Sequence, residues 1–302
     1  MKTHFKKHQT PWLIFFIGLA IFSLGLSPEL VAFQTRFAFF AQEMLQHGIK
    51  LFPYTYQGPY PDYPLLPTLL IYLFSWPISQ VTSFTAILPT AITSSLILVF
   101  IYLLGKTQSE RLGIYAVLFA LLTQTFIDAS RSITLDQYTS LITLIVFYIA
   151  YLSTLDKNNK RLWWLPILLT LGFLFRGPIG LVIPASVLGG FYLWSREFKQ
   201  FILVALLSIL LLALLMLLLL SAAYYTGGIS FVHQVLLMEM IGRLNPATGH
   251  QPLYYFLQSF ASYALAYPVA IVLILAQLKP LLHTFKVRNL RRLRRSQRRW
   301  GV

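Results

Sequence analysis

The chain has 302 residues, of which 57% are hydrophobic and only 11% are charged. Soluble domains contain about 25% charged residues, so this composition leaves too little polar surface to cover a soluble globule. A net charge of +15 would suggest nucleic-acid binding in a soluble protein. Here the basic residues lie between and after apolar runs, which indicates membrane topology and contact with anionic lipid. Nucleic acid is therefore not an expected partner.

Apolar runs long enough to cross about 30 Å of hydrocarbon recur along the whole chain. The first run follows a basic start and lacks a small-residue cleavage site, so it is interpreted as a retained signal anchor. The expected fold is an all-α integral membrane protein with about eight transmembrane helices. The predicted spans are 11–28, 87–105, 112–128, 134–153, 162–175, 178–195, 201–225 and 262–279.

A further apolar segment, 65–80, is short and contains Pro67 and Pro77, with Tyr72 and Trp76 as interfacial anchors. If it lies along the membrane surface, most of the 24 Lys and Arg residues fall on one side, which the positive-inside rule assigns to the cytoplasm. If it crosses, most of them face outward. The charge pattern therefore favours an interfacial helix, with both termini cytoplasmic.

This threading predicts a transmembrane domain over 1–279 and a basic cytoplasmic tail over 280–302 that contacts anionic lipid. Two outer segments, 29–86 and 226–261, are long, and the first is expected to contain juxtamembrane helices. Long ordered loops above a helical bundle are where a site is usually built.

The first outer segment contains Arg36 in an amphipathic stretch and Asp62 in a proline-rich turn. A carboxylate fixed by prolines above the membrane is a candidate metal ligand or substrate acceptor. The alternative is a solvated loop acid that caps the following helix.

Two arginines on the predicted outer side are candidate phosphate ligands, because a guanidinium donates in a fork that fits phosphate oxygens. Arg131 lies in the turn DASRSITLDQ, where a simple pair with Asp136 is the alternative. Arg176 precedes Gly177-Pro178 at the end of an apolar span, where snorkelling to the interface is the alternative.

The second outer segment contains His250, and neutral imidazole is a common ligand for divalent metals. The chain has no cysteine, so thiolate sites and disulfides are excluded. Asp62 and His250 together form a candidate two-ligand metal site, for Zn²⁺ or Mg²⁺, completed by water or substrate. An isolated loop histidine without a ligand is the alternative.

Five segments occur in the order found in a known family: TRFAFFAQEML, YPDYPLL, SRSITLDQ, LFRGPIGLVIP and IGRL…GHQPLYYF. Together they resemble the bacterial membrane glycosyltransferases related to protein O-mannosyltransferases and lipid A aminoarabinose transferases, which have the C-type glycosyltransferase fold. The resemblance extends over nearly the whole chain.

The resemblance implies a multi-pass protein of the bacterial inner membrane that takes sugar from a polyprenyl-phosphate carrier. The acceptor would be a lipid or glycan in the outer leaflet or periplasm, as in lipid A or cell-envelope glycan modification. Asp62 and His250 would bind the metal. Arg131, Arg176 and Arg243 would hold the donor phosphate, with Arg176 in place of the family's lysine.

The chain departs from that family at the expected catalytic acid. Alignment on Arg36 places Phe33 and Gln34 where the family has Asp-Glu. Glu29, four residues earlier, is the candidate substitute as the catalytic acid, together with Asp62. The chain also ends before the further spans of its relatives.

These observations predict a glycosyltransferase that works by electrostatic stabilisation of the leaving phosphate. One alternative is a truncated or degenerate relative that binds polyprenyl-phosphate lipid without turnover. A lipid or solute transporter is the other alternative, although inverted repeats and charges within the spans are not found.

Overall fold

A computed structural model of the chain describes residues 2–25, 29–30, 33–61 and 65–238, together with a few positions between 257 and 275. The chain folds into two compact units. The first comprises Met1–Ala120 and Phe126–Gly249, and the second comprises Leu121–Thr125 and His250–Val302. The described candidate site residues and the pockets described below lie within the first unit.

The fold is all-α, as predicted, and the one sheet among the described residues is a two-stranded hairpin. Its strands β1 (Tyr54–Thr55) and β2 (Gly58–Pro59) are antiparallel, with Tyr54 opposite Pro59. Short 3-10 helices cover Trp76–Ile78 and Asn159–Trp164. The α-helices are α1 (Lys2–Ser23), α2 (Phe33–His47), α3 (Leu65–Ser75), α4 (Ser83–Lys106), α5 (Glu110–Leu121), α6 (Gln124–Ser130), α7 (Leu135–Asp156), α8 (Leu165–Trp194) and α9 (Phe198–Leu236).

The predicted spans from 11–28 to 201–225 fall mainly on described helix, although α1 ends at Ser23. Residues 26–28 and most of 262–279 lie outside the described residues. By length and composition, four described helices are sufficient to cross a membrane: α4, α7, α9, and α8 with its preceding 3-10 helix. The pair α5–α6 passes the same test when taken together. The segment 65–80 forms α3, whose 11 residues extend only about 16 Å. That length agrees with the expected short helix.

One predicted span is interrupted. The expected continuous span 112–128 is broken, because α5 ends at Leu121, α6 begins at Gln124, and the two axes differ by 75°. Polar side chains at Thr123 and Gln124 interrupt the apolar run there. Helix α9 extends past the predicted span 201–225 to Leu236, with a break at Gly227 and Gly228 just after that span.

The chain reverses direction within α8. Arg176 and Gly177 leave the helical dihedrals, and Gly177 has φ 61° and ψ −151°, a region that only glycine occupies readily. In a straight helix, residues 172 and 180 would be about 12 Å apart. Here a methyl group on Gly172 would overlap the Gly180 carbonyl oxygen, so the two halves of α8 pack against each other.

The same pair of backbone conformations recurs in α9. Gly227 has φ −154° and ψ 21°, and Gly228 has φ 68° and ψ −163°, close to the values at Arg176 and Gly177. The long helix is therefore broken at this point, and Phe231 after the break packs in one cluster with Ala223 before it.

The bent pair α5–α6 carries the chain from one end of α4 to the other. At its start, a Cβ on Gly105 near the end of α4 would lie 2.6 Å from the Cα of Gly113. Just after it, Ile133 packs with Ala86 and Ile87 near the start of α4. Gly105 and Ala86 are separated by about 28 Å along α4. The segment from Gly113 to Ile133, which contains the bent pair, therefore runs between these two levels of α4.

Helix α7 and each half of α8 also run between the two ends of α4. Gln108, just after α4, donates a hydrogen bond to the Tyr151 hydroxyl, 3.4 Å away, so the last turns of α7 lie near the end of α4. Arg176 pairs with Asp136 in the first turn of α7, so the first half of α8 returns to the start of α4. The second half goes back, because one cluster combines Ala150, Leu165, Leu188, Tyr192 and Val204.

We call the end that contains Arg131, Asp136, Arg176 and the start of α4 the site end. The end that contains Lys106, the last turns of α7 and the helix Asn159–Trp164 is the basic end. Its described basic residues are Lys106, Arg111, Lys157, Lys160, Arg161, Arg196 and Lys199. The site end has fewer described Lys and Arg residues. This difference is the one on which the positive-inside rule depends.

Candidate functional site

One apolar cluster holds together most segments that contain candidate residues. Its buried members come from α2, α3, the start of α4 and the turn before α7, with Leu30, Tyr60 and Leu135 packed against them. In the sequence, Leu30 follows Glu29, Tyr60 lies two residues before Asp62, and Leu135 precedes Asp136. Residues that are far apart in sequence are therefore positioned at one end of the bundle. The buried members are Phe37, Ala38, Phe40, Ala41, Ile71, Ala86, Ile87 and Ile133.

Arg36 connects α2 to the turn that leads to Asp62. Its guanidinium donates to the Tyr60 hydroxyl at 3.5 Å and lies 5.8 Å from the centre of that ring and 5.1 Å from the centre of Phe37. Cation–π contacts of this kind hold a guanidinium in place without neutralising its charge. Arg36 therefore fixes Tyr60, two residues before the predicted metal ligand.

Arg131 binds backbone carbonyls at the end of α1. It donates to the Ile21 oxygen at 2.6 Å and to the Gly25 oxygen at 2.7 Å. Carbonyls at a helix C-terminus have no partner within the helix, and a cation there also interacts favourably with the helix dipole. Two of the five N–H donors are used in this way, so Arg131 has a structural role. The remaining donors are the ones that a phosphate would use.

Asp136 pairs with Arg176 and not with Arg131, so the simple Arg131–Asp136 pair considered from the sequence does not form. This ion pair joins the start of α7 to the reversal in α8. The Arg176 side chain is 24% exposed and that of Asp136 is 74% exposed. The neighbouring rings of Phe175 and Tyr138 stack at 4.6 Å with an angle of 8°. Arg176 is thus held in position rather than extended freely to the interface.

Replacing Arg131 by Gln is expected to lower stability by about 1–2 kcal/mol, because two hydrogen bonds from a charged donor are lost at a part-exposed position. The measurement is the melting temperature of the detergent-solubilised protein, with unfolding monitored by size-exclusion chromatography. Arg111→Gln is the matched control, since this exposed arginine lies at the basic end. Equal melting temperatures for wild type and Arg131→Gln would contradict the structural role.

Glu29 is exposed and lies before α2, and Leu30 next to it packs on the same apolar cluster. The structure therefore places the backbone of this candidate acid at the site end. Phe33, at the position where the resemblance expects an acid, is the first residue of α2.

Asp62, Arg243 and His250 lie outside the described residues. Among the described residues, no group of three His, Asp or Glu side chains is placed to hold a metal. The metal site therefore stays a prediction, and no geometry is assigned to it.

Two contacts were missed by the sequence interpretation. Tyr60 contacts Arg36 directly. Tyr138 stacks on Phe175 and so holds the residue that precedes Arg176. Proximity in sequence was the available signal, because Tyr60 lies in the Asp62 turn and Phe175 precedes Arg176. Their partners come from distant segments, which no local pattern identifies.

Comparisons with known proteins identify the family of the chain and do not address the roles of individual residues. No curated protein and no solved structure gave a significant match. Residues 62–225 match the family described as dolichyl-phosphate-mannose-protein mannosyltransferase. This region is more than half of the chain and contains Arg131, Asp136 and Arg176, whereas Glu29, Arg36, Arg243 and His250 lie outside it. The chain belongs to the dolichyl-phosphate-mannose-protein mannosyltransferase family of membrane glycosyltransferases.

Proposed function

We propose that the protein transfers a sugar from a polyprenyl-phosphate-linked donor to an acceptor in the outer leaflet or periplasm of a bacterial inner membrane. Within the family, the resemblance is to the bacterial aminoarabinose transferases and O-mannosyltransferase-like enzymes. The acceptor is a lipid or glycan of the cell envelope. The observation that carries the proposal is the Arg176–Asp136 pair at the reversal of α8.

That pair has the properties expected of a phosphate-binding site. The Arg176 side chain is mostly buried, whereas the side chain of its partner Asp136 is mostly exposed. An exposed carboxylate competes with water, so an incoming phosphate can replace it on the guanidinium at small cost. Arginine then donates two parallel hydrogen bonds to the phosphate oxygens.

Stabilisation of the leaving group accounts for the chemistry. As the bond between the sugar carbon and the phosphate oxygen breaks, negative charge grows on the phosphate, where Arg176 lies. Arg131 supplies further donors, and Arg243 is proposed as another. An acceptor hydroxyl forms the new bond from the opposite face and gives its proton to a carboxylate, for which Glu29 and Asp62 are the candidates.

A divalent metal at Asp62 and His250 is part of the proposal. When bound, it would add positive charge near the phosphate. The described residues contribute one supporting fact: Arg36 fixes Tyr60 in the turn that leads to Asp62. Zn²⁺ and Mg²⁺ are both compatible with these ligand types.

The proposed orientation places the site end outside and the basic end in the cytoplasm. The charge difference between the two ends supports it, since cytoplasmic loops are rich in Lys and Arg. Both termini are then cytoplasmic, and the basic tail over 280–302 contacts anionic lipid.

The proposal is tested by giving labelled polyprenyl-phosphate-sugar and envelope extract to membranes that contain the protein. The double variant Asp62→Asn, His250→Ala is expected to lose transfer by about 10²–10³-fold, which is typical when a stabilising group is removed. Arg111→Gln, at the basic end, is the control and keeps wild-type transfer. Transfer that survives the double substitution would refute the proposed metal site.

A second candidate function is lipid binding without turnover, and the aromatic residue Phe33 at the position of the expected acid favours it. The same assay separates the two functions. Retention of the labelled donor by the wild-type protein with no product, while a relative with the full acidic motif forms product, would support the inert binder.

A further inference from the structure

A pocket of about 440 Å³ lies at the basic end, between the 3-10 helix Asn159–Trp164 and the first turns of α9. Its polar lining comes from Asn159, Lys199 and Gln200, and its apolar lining includes Leu203 and Leu207. The reversal in α8 and the ion pair of the candidate site lie at the opposite end, so this pocket is not part of that site.

The polar side of the pocket is positively charged. Lys199 lines it, and the adjacent segments 156–161 and 196–200 contain Lys157, Lys160, Arg161 and Arg196. The acids in these two segments are Asp156 and Glu197, and Asp156 already pairs with Arg161 at 2.7 Å. A net positive charge therefore remains for an anionic group.

Exposed tryptophans place this region at the depth of lipid headgroups. Trp163 lines the pocket and is 82% exposed, while Trp164 is 60% exposed and Trp194 is 90% exposed. Tryptophan concentrates at the membrane–water interface, where the ring meets acyl chains and the N–H meets water. With the tryptophans at the interface, Leu203 and Leu207 in the pocket lie at the depth of the acyl chains.

We propose that this pocket binds one anionic phospholipid. The phosphate lies against Lys199 and Gln200, and an acyl chain follows Leu203 and Leu207 along α9. Charge complementarity selects this occupant, since each basic side chain at an anionic surface adds to the affinity. The neighbouring groove of about 420 Å³ between α8 and α9 has no charged residue in its lining and offers no such selection.

The test counts lipids that remain bound to the full-length protein in native mass spectrometry after reconstitution with phosphatidylglycerol or phosphatidylcholine. Lys199→Gln is expected to weaken retention of phosphatidylglycerol by about fivefold, the contribution of one basic residue near an anionic surface. Leu203→Trp, which fills the apolar wall without changing charge, is expected to lower retention by at least as much.

Lys106→Gln is the matched control, because it removes the same charge at the same end but away from the pocket. The basic tail is present in every variant, so its lipids form a common background. The proposal holds if Lys106→Gln retains phosphatidylglycerol as the wild type does while both pocket variants retain less of one bound molecule. Equal losses for Lys106→Gln and Lys199→Gln, unchanged retention in Leu203→Trp, or equal retention of both lipids by the wild type would each overturn it.

Discussion

Replacement of Arg176 by Ala is expected to lower sugar transfer by about 10²–10³-fold, because the leaving phosphate loses a positioned cationic donor. Asp136→Asn is expected to lower transfer much less, since that carboxylate holds the guanidinium only until phosphate replaces it. Arg176→Lys is expected to retain an intermediate activity, because lysine keeps the charge but loses the two parallel hydrogen bonds. Initial rates with labelled lipid-linked donor give all three values.

A purely structural ion pair predicts a different pattern. In that case Arg176→Ala, Asp136→Asn and the double variant would show similar losses, because each removes the same contact. Thermal unfolding of each variant separates misfolding from lost catalysis. Arg111→Ala, the same substitution at the basic end, controls for the loss of an arginine elsewhere on the protein.

Replacement of Gly172 by Ala is expected to destabilise the protein by at least about 1–3 kcal/mol, because the new methyl group would overlap the Gly180 carbonyl oxygen across the reversal. The backbone on the other side has little freedom to move, since Gly177 turns the chain only five residues later. The melting temperature of the detergent-solubilised protein measures this effect. Transfer is expected to fall as well, because Arg176 lies at the apex of the same reversal.

Gly190→Ala is the matched control in the same helix. A methyl group at Gly190 meets nothing within 4 Å, and alanine favours helix over glycine by about 1 kcal/mol. This variant is therefore expected to melt at or above the wild-type temperature. Similar melting temperatures for Gly172→Ala and Gly190→Ala would show that the two halves of α8 are not in contact.

The order of helices could be predicted because membrane crossing imposes a length and an apolar composition that are visible locally. The break at Arg176–Gly177 could also be predicted, since Gly-Pro interrupts an apolar run. The break between α5 and α6 was missed because two polar residues in an apolar run leave the average hydropathy nearly unchanged.

For the candidate site, the residue types were predictable and their partners were not. Arg131 and Arg176 were identified because a guanidinium fits phosphate oxygens and both residues were predicted to lie on the outer side. From the sequence, a pair of Asp136 with the nearby Arg131 was the alternative to a phosphate-binding role, whereas Asp136 pairs with Arg176, 40 residues away. Ion pairing depends on position in space, and the reversal in α8 brings Arg176 to the first turn of α7.

The sequence by itself determined that this is an all-α membrane protein whose basic and polar residues are divided between two ends. The composition and the spacing of apolar runs suffice for that, because each helix in lipid must form its backbone hydrogen bonds internally. Only the tertiary structure decided that Arg131 binds the end of α1 while Arg176 pairs with Asp136. These contacts depend on helix packing and on glycine pairs that allow close approach, so they exist only once the whole bundle has formed.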